Sequence, residues 1–329
     1  LIKEKPFKVR KCIEWGMEAP VSGNSAGTNE AAGMARLSVV SNSFLIMIKV
    51  AAGLLMGSVS VISEAMHSGV DLLAAVIANV AIRKSRMPPD DVHKFGHGKF
   101  ENISGTIEAV LILIVAFFIV YEASKKIMYG AAVEHLWAGL VVMGVSAVVN
   151  FFVSRKLMTV SKRTDSIALE ADAYHLSVDV YTSVGVVVGL MLIQITGIHA
   201  LDPIVAIVIA IIILKGAIDL TKRSALDLVD AKLPDEEEAI IKSIISEHYS
   251  EFLEYHALRS RKSGYERFVD LHLVLPKGKH ISDAHDLCDH LEKDIKTRIS
   301  NINLLIHVEP CDDNCEACKR IDICFTEED

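Results

Sequence analysis

Two stretches of the sequence set acids and imidazoles at helical spacing inside apolar runs: Glu64-Ala-Met-His67-Ser-Gly-Val-Asp71 and Asp172-Ala-Tyr-His175-Leu-Ser-Val-Asp179. In each, an acid is followed by a His three residues on and an Asp four residues later, so a helix would carry all three on one face. An ionisable group in hydrocarbon is costly and by default marks function. Stripes of Ser, Thr or Asn are satisfied by helix–helix hydrogen bonds. Two His and four carboxylates are not; they must be neutralised or coordinated. His67, Asp71, His175 and Asp179 together offer two imidazoles and two carboxylates, a four-coordinate set for a borderline divalent metal, Zn²⁺ first. Glu64 and Asp172 fit either a supporting or proton-handling role or a structural one. Lys49 and Lys215 read more simply as snorkelling or structural ion pairs.

Three further groups carry ligand-type side chains. Pro89-Asp-Asp-Val-His-Lys-Phe-Gly-His-Gly-Lys99 places Asp90, His93 and His97 at spacings of three and four, with Gly96 and Gly98 allowing a tight path. Spacing alone leaves a solvated loop and a metal site equally open. Nearer the C-terminus stand His256, His272, His285, His307 and Glu309; on a strand, His307 and Glu309 would share a face. They fit a metal cluster or a solvated His face. Cys311-x3-Cys315-x2-Cys318, continuing to Cys324, could bind Zn²⁺ or an iron–sulfur cluster, or stay reduced on a mobile end.

The elements needed to position these groups follow from composition. The 329 residues are 51% hydrophobic yet 23% charged, which predicts a membrane domain joined to a soluble one. The formal charge of -8 lies mainly in the C-terminal third and excludes nucleic acid as a partner. The cysteines are not spaced as a secreted disulfide framework, and no cleavable signal peptide is expected. Residues 1–35 read as a flexible N-terminal segment, with Ser22–Asn29 linker-like. Six apolar segments follow within 36–224: Leu37–Met56, Val59–Ile82, Ile103–Met128, Leu136–Leu157, Ile167–Ile195 and Ala200–Leu220. Each meets the roughly 20 residues a bilayer crossing needs. Arg83, Lys84, Arg86, Lys94 and Lys99, then Arg155, Lys156, Lys162 and Arg163, then Lys222, Arg223 and Lys232 fall on one side, against Lys125 and Lys126 on the other. That bias predicts a multi-pass protein of the cytoplasmic membrane with both termini in the cytoplasm.

Residues 225–310 change character. A helix start at Leu233-Pro-Asp-Glu-Glu-Glu238 is followed by strand patterns at about Tyr255–Arg261 and Arg267–Leu275, separated by a Lys-Ser-Gly turn at 262–264. Val269, Leu271, Leu273 and Leu275 share one face of the second strand. A helix at about Ser282–Arg298 and a strand at about Asn303–Glu309 complete an α-β-β-α-β order, a small α+β domain, with a Cys-rich tail at 311–329.

The paired His-x3-Asp cassettes, the Pro89–Lys99 loop, Leu233-Pro-Asp235 and the terminal α+β domain together resemble the cation diffusion facilitators over about residues 35–310. The resemblance implies a homodimer with six transmembrane helices and a cytoplasmic metallochaperone-like domain. It implies proton-coupled efflux of Zn²⁺, or of Cd²⁺, Co²⁺ or Fe²⁺, by alternating access around His67, Asp71, His175 and Asp179. It makes Asp90, His93 and His97 a second site, and His256, His272, His285, His307 and Glu309 a binuclear, regulatory site at the dimer interface, with Glu309 where the family uses Asp. Lys99 is expected to pair with Asp230. A non-transporting metal sensor or scaffold of the same fold is the alternative; an intramembrane hydrolase lacks any nucleophile motif, so no enzymatic activity is expected.

Overall fold

A computed structural model describes residues 25–56, 59–129, 136–197 and 201–312. Six long helices come first: α1 (Ser25–Met56), α2 (Val59–Ser85), α3 (Lys99–Tyr129), α4 (Leu136–Thr164), α5 (Ile167–Thr196) and α6 (Leu201–Leu228). Their outward faces carry large apolar side chains, including Leu55, Phe117, Phe118, Phe152 and Ile211, as a helix bundle in lipid requires. Three of them, over Asn29–Leu55, Lys99–Lys125 and Pro203–Leu228, are each apolar and long enough to cross a membrane. The helices that carry the cassettes, α2 and α5, interrupt their apolar length with Asp71, Asp172 and Asp179.

Close packing is achieved with small residues. Ala31, Ala35, Ala78, Ala109, Ala168, Ala171, Ala173 and Ala217 have no exposed surface, so backbones approach closely without a hydrophobic drive between helices. α1 packs on α2, α4 on α5 and α3 on α6, while α2 and α5 touch each other at the centre. Tyr174 of α5 lies against Gly216 of α6, and its hydroxyl donates to the Ile213 carbonyl at 3.1 Å.

Several boundaries differ from expectation, chiefly the start of α1 and the ends of α4 and α6. α1 begins at Ser25 rather than Leu37, because Ala31 and Ala35 bury against Leu157, Leu169 and Leu176; the linker-like reading of Ser25–Asn29 therefore gives way to helix. α6 runs on to Leu228, past its apolar stretch, with Ser224 still fully buried.

The second domain follows as α7 (Asp235–Glu247), β1 (Glu254–Ser263), β2 (Glu266–Leu275), α8 (Ile281–Arg298) and β3 (Ile302–Pro310). Asp235, Glu236, Glu237 and Glu238 fill the first turn of α7, where carboxylates suit the positive end of the helix dipole. The sheet order is β1-β2-β3, antiparallel then parallel, with α8 as the crossover between β2 and β3. Val269, Leu271, Leu273 and Leu275 alternate inward and pack against Ile241, Ile244 and Ile245 of α7 and Leu287, Leu291 and Ile295 of α8. The hairpin turn falls at Gly264-Tyr265 rather than at 262–264, because β1 keeps pairing through Ser263 opposite Glu266 and Gly264 takes the positive φ of 61°.

Candidate metal centre

Three of the ligand-type groups read from the sequence come together among the described residues. Inside the helix bundle, His175 Nε2 of α5 lies 2.9 Å from Asp71 Oδ1 of α2, both groups buried. The spacing of the cassettes alone set each residue on a face; the α2–α5 contact turns the two faces toward each other. Asp179, one turn beyond His175, accepts a hydrogen bond from Asn150 Nδ2 of α4 at 3.1 Å. Asp172, one turn before His175, is buried, and among the described residues Asp172 Oδ2 and His175 Nδ1 have no hydrogen-bond partner. Glu64 and His67 ride on α2, but their side chains lie outside the described residues. Lys49 of α1 is buried rather than snorkelling, and donates to Ser68 Oγ of α2 at 2.6 Å.

The loop between α2 and α3 forms the second cluster. Asp90 Oδ1 accepts the backbone N–H groups of Val92 and His93 at 2.9 and 2.6 Å. The His93 amide in particular holds the Asp90 carboxyl below the usual carboxylate range. Oδ2 of Asp90 is 3.3 Å from His97 Nε2, and the two imidazole rings lie 4.5 Å apart. His97 Nδ1 faces the Met87 carbonyl at 3.3 Å; an N–H there leaves Nε2 as the ligand atom. Asp90, His93 and His97 offer three ligand atoms all within 4.8 Å of one another. Gly96 supplies the φ of 79° that the loop needs to bring His97 back.

The third cluster is a row across the sheet. His256 of β1 pairs with His272 of β2, and His272 with His307 of β3, all in register. A register shift after His256, with Ala257 at φ 50°, bends β1 beside it. Glu309 reaches back along β3 so that its Oε1 sits 2.8 Å from His272 Nδ1, with Oε2 3.4 Å from His256 Nε2. His256, His272 and Glu309 again hold three ligand atoms within 4.8 Å, and His307 lies 3.8 Å from the same carboxylate. His285 stands apart: it is exposed on α8 beside Asp289, since α8 covers the opposite, leucine-bearing face of the sheet. Cys311 follows β3 with its amide donating to the Leu275 carbonyl at 2.9 Å; Cys315, Cys318 and Cys324 lie outside the described residues.

The junction between the domains is polar and close. Lys99 Nζ is 2.9 Å from Asp230 Oδ1, and Arg261 reaches the same oxygen at 3.2 Å. The Lys99 hydrogen bond is the main reason the Asp230 carboxyl lies below its ordinary range. Gly264 N donates to Asn102 Oδ1 at 2.7 Å, and Gly98 lies so near the Ser263 carbonyl that no side chain fits there. Arg267 bridges Glu237 and Asp165 at 2.7 and 2.8 Å.

Sequence reading passed over two buried acids of α3. Glu101 accepts from Ser85 at 2.7 Å and Ser166 at 2.6 Å, with Arg86 at 3.5 Å, and so ties together the end of α2 and the starts of α3 and α5. Glu108 is buried with neither oxygen partnered among the described residues. The signal that singled out the cassettes, charge inside an apolar helix, was present for both.

Comparison with known proteins gives a consistent outcome. A family model for the cation efflux transmembrane domain matches residues 35–229, and one for the cation efflux protein cytoplasmic domain matches residues 233–311. The protein called Uncharacterized transporter sll1263 of Synechocystis sp. is 32% identical over 266 residues, 81% of this chain and 86% of its own length. The cation-efflux pump FieF of Shewanella oneidensis is 31% identical over 279 residues, 84% of this chain and 92% of its own. A solved CzrB chain is 34% identical and spans 24% of this chain and 99% of its own, with a TM-score of 0.24.

Proposed function

The chain belongs to the cation efflux family, a family of membrane transporters rather than enzymes, and we propose that its cargo is Zn²⁺, exported in exchange for protons. The observation that carries this reading is the buried meeting of His175 and Asp71 across α2 and α5. With His67 and Asp179 they form the transport site. Imidazole nitrogen suits Zn²⁺, whereas Mn²⁺ prefers oxygen donors; Cd²⁺, Co²⁺ and Fe²⁺ remain secondary cargoes.

The coupling follows from ligand chemistry. A metal ligand must be deprotonated, so Zn²⁺ arriving from the cytoplasm displaces the proton held between His175 and Asp71. On the outward side, protonation of the imidazoles releases the metal. Rocking of the helices around a fixed site gives alternating access. In this reading residues 36–224 cross the membrane six times with both termini cytoplasmic, and residues 225–310 form the cytoplasmic half of a homodimer. The loop cluster of Asp90, His93 and His97 and the sheet cluster of His256, His272, His307 and Glu309, with His285, are then cytoplasmic metal sites, the latter at the dimer interface.

Zn²⁺ flux in proteoliposomes with an internal pH probe tests the proposal. Asp71→Ala and Asp179→Ala should each reduce Zn²⁺ flux and the accompanying proton movement to background while the protein stays folded and dimeric. Wild-type flux in both variants would mean that transport does not run through these carboxylates, and no flux even in the unaltered protein would leave a metal sensor of the same fold.

A further inference from the structure

A second face of the soluble domain carries metal chemistry that the exporter reading does not use. His248, just past the end of α7, and His290 and Asp294 of α8 bring three ligand atoms within 4.8 Å of one another. His290 and Asp294 are four residues apart and share a helix face. Asp294 Oδ2 sits 3.0 Å from His248 Nε2 and 3.6 Å from His290 Nε2, and the two rings meet edge to face at 4.9 Å. One carboxylate oxygen thus faces a nitrogen from each of two imidazoles.

His248 lies between two carboxylates. Its Nδ1 is 2.8 Å from Glu251 Oε1 and its Nε2 is 3.0 Å from Asp294 Oδ2. With the ring proton on Nδ1, Nε2 offers its lone pair to a cation beside the Asp294 carboxylate; without a metal, a second proton on Nε2 supplies that positive charge. A carboxylate that fixes the far nitrogen of a ligating imidazole is the usual outer support of a zinc site. Glu251 stands in that place, and Arg298, held by Glu247 at 3.0 and 2.9 Å, braces the same pair of helices.

We propose that His248, His290 and Asp294 form an accessory site for a Zn²⁺-class divalent ion that clasps the end of α7 to α8, with water completing the coordination. The site is on the helical layer, across the sheet from the His256–His272–His307 row. Nothing in it depends on the transport site, so metal bound here stabilises the soluble domain rather than moving through the bilayer.

Metal counting on the full-length protein in detergent tests this, using Zn²⁺ loading followed by removal of weakly bound ion, and Co²⁺ as a spectroscopic stand-in. His290→Gln changes an exposed side chain and should cost one equivalent of metal per chain, along with part of the Co²⁺ ligand-field absorption. Asp294→Asn and His248→Gln should each lose that same equivalent, and the His248→Gln, His290→Gln pair no more than that. Unchanged counts and spectra in His290→Gln and Asp294→Asn would overturn the proposal and leave a protonated ion-pair cluster. Because the count needs no flux, its outcome is separate from that of the transport experiment.

Discussion

At the scale of single residues, ligand type decides preference. His175 and Asp71 present one nitrogen and one oxygen to a shared centre. His175→Asp would make that pair all-oxygen, so under the proposed Zn²⁺ exporter reading uptake assays across a metal panel should gain Mn²⁺ transport and lose Zn²⁺ preference. The same variant removes an imidazole whose reference value lies near neutrality, so under the proposed proton exchange metal release should need a more acid outer face. An unaltered Zn²⁺ preference would mean that His175 does not ligate the cargo. Outside the membrane, Arg267 gives a stability test. Its hydrogen bonds to Glu237 hold that carboxyl below the ordinary range. A depressed folded value contributes stability that is fully present above the unfolded value of about 4.3 and is lost as pH falls through the folded one. Arg267→Met should therefore lower stability near neutral pH by about 2 to 3 kcal/mol and flatten its acid dependence, as read from thermal unfolding across a pH series. Loss confined to acid pH would contradict the assignment.

At the scale of elements, the frame is set by close approaches that only certain residues allow. Gly98, at the start of α3, lies against the Ser263 carbonyl of the β1–β2 hairpin, and Gly264 meets it from the other side at φ 61°. A methyl group at Gly98 meets the backbone carbonyl of Ser263 first and its hydroxyl next, so the hairpin must retreat. Gly98→Ala should cost about 1 to 3 kcal/mol and expose the hairpin to limited proteolysis. A cleavage pattern identical to wild type would show that the contact does not hold the domains together. This contact was illegible in the sequence, since Gly98 and Ser263 are far apart along the chain. The cassettes were legible because a His or Asp in an apolar helix has few inexpensive explanations. The helix and strand order was legible for a similar reason: periods of 3.6 and 2 leave their mark on apolar residues. Ser25 as the start of α1 was not, because Ala31 and Ala35 look neutral until Leu157 and Leu169 are seen beside them. His256, His272 and His307 were found as residues, yet their common row depended on a strand register that no local pattern fixes. His248, on a helix end, showed no partner until α8 brought Asp294 to it.

At the scale of the whole molecule, ligand-type clusters lie on both sides of a tight junction. The bundle holds the His175–Asp71 pair; the sheet holds His256, His272 and Glu309; Lys99–Asp230 and Arg267–Asp165 join them. Under the exporter reading, metal on the sheet draws two soluble domains together and biases the helices above. A ligand shifts such an equilibrium only as far as it prefers one state. Glu309 contacts both His272 and His256, so its amide analogue keeps the shape and removes the charge that a metal needs. Loss of an outer-shell partner costs roughly 10- to 100-fold in metal affinity, so losing a direct ligand should cost at least about tenfold. Glu309→Gln and His272→Ala should therefore raise the Zn²⁺ concentration at which spin labels on the two soluble domains of a dimer approach each other. Half-maximal flux should move to higher Zn²⁺ by a similar factor, while flux at saturating Zn²⁺ persists, because the intramembrane ligands are intact. If both variants kept the wild-type Zn²⁺ dependence of domain approach and of flux, the sheet cluster would have no part in regulation. If instead they abolished flux even at saturating Zn²⁺, the cluster would belong to the transport path rather than to its control.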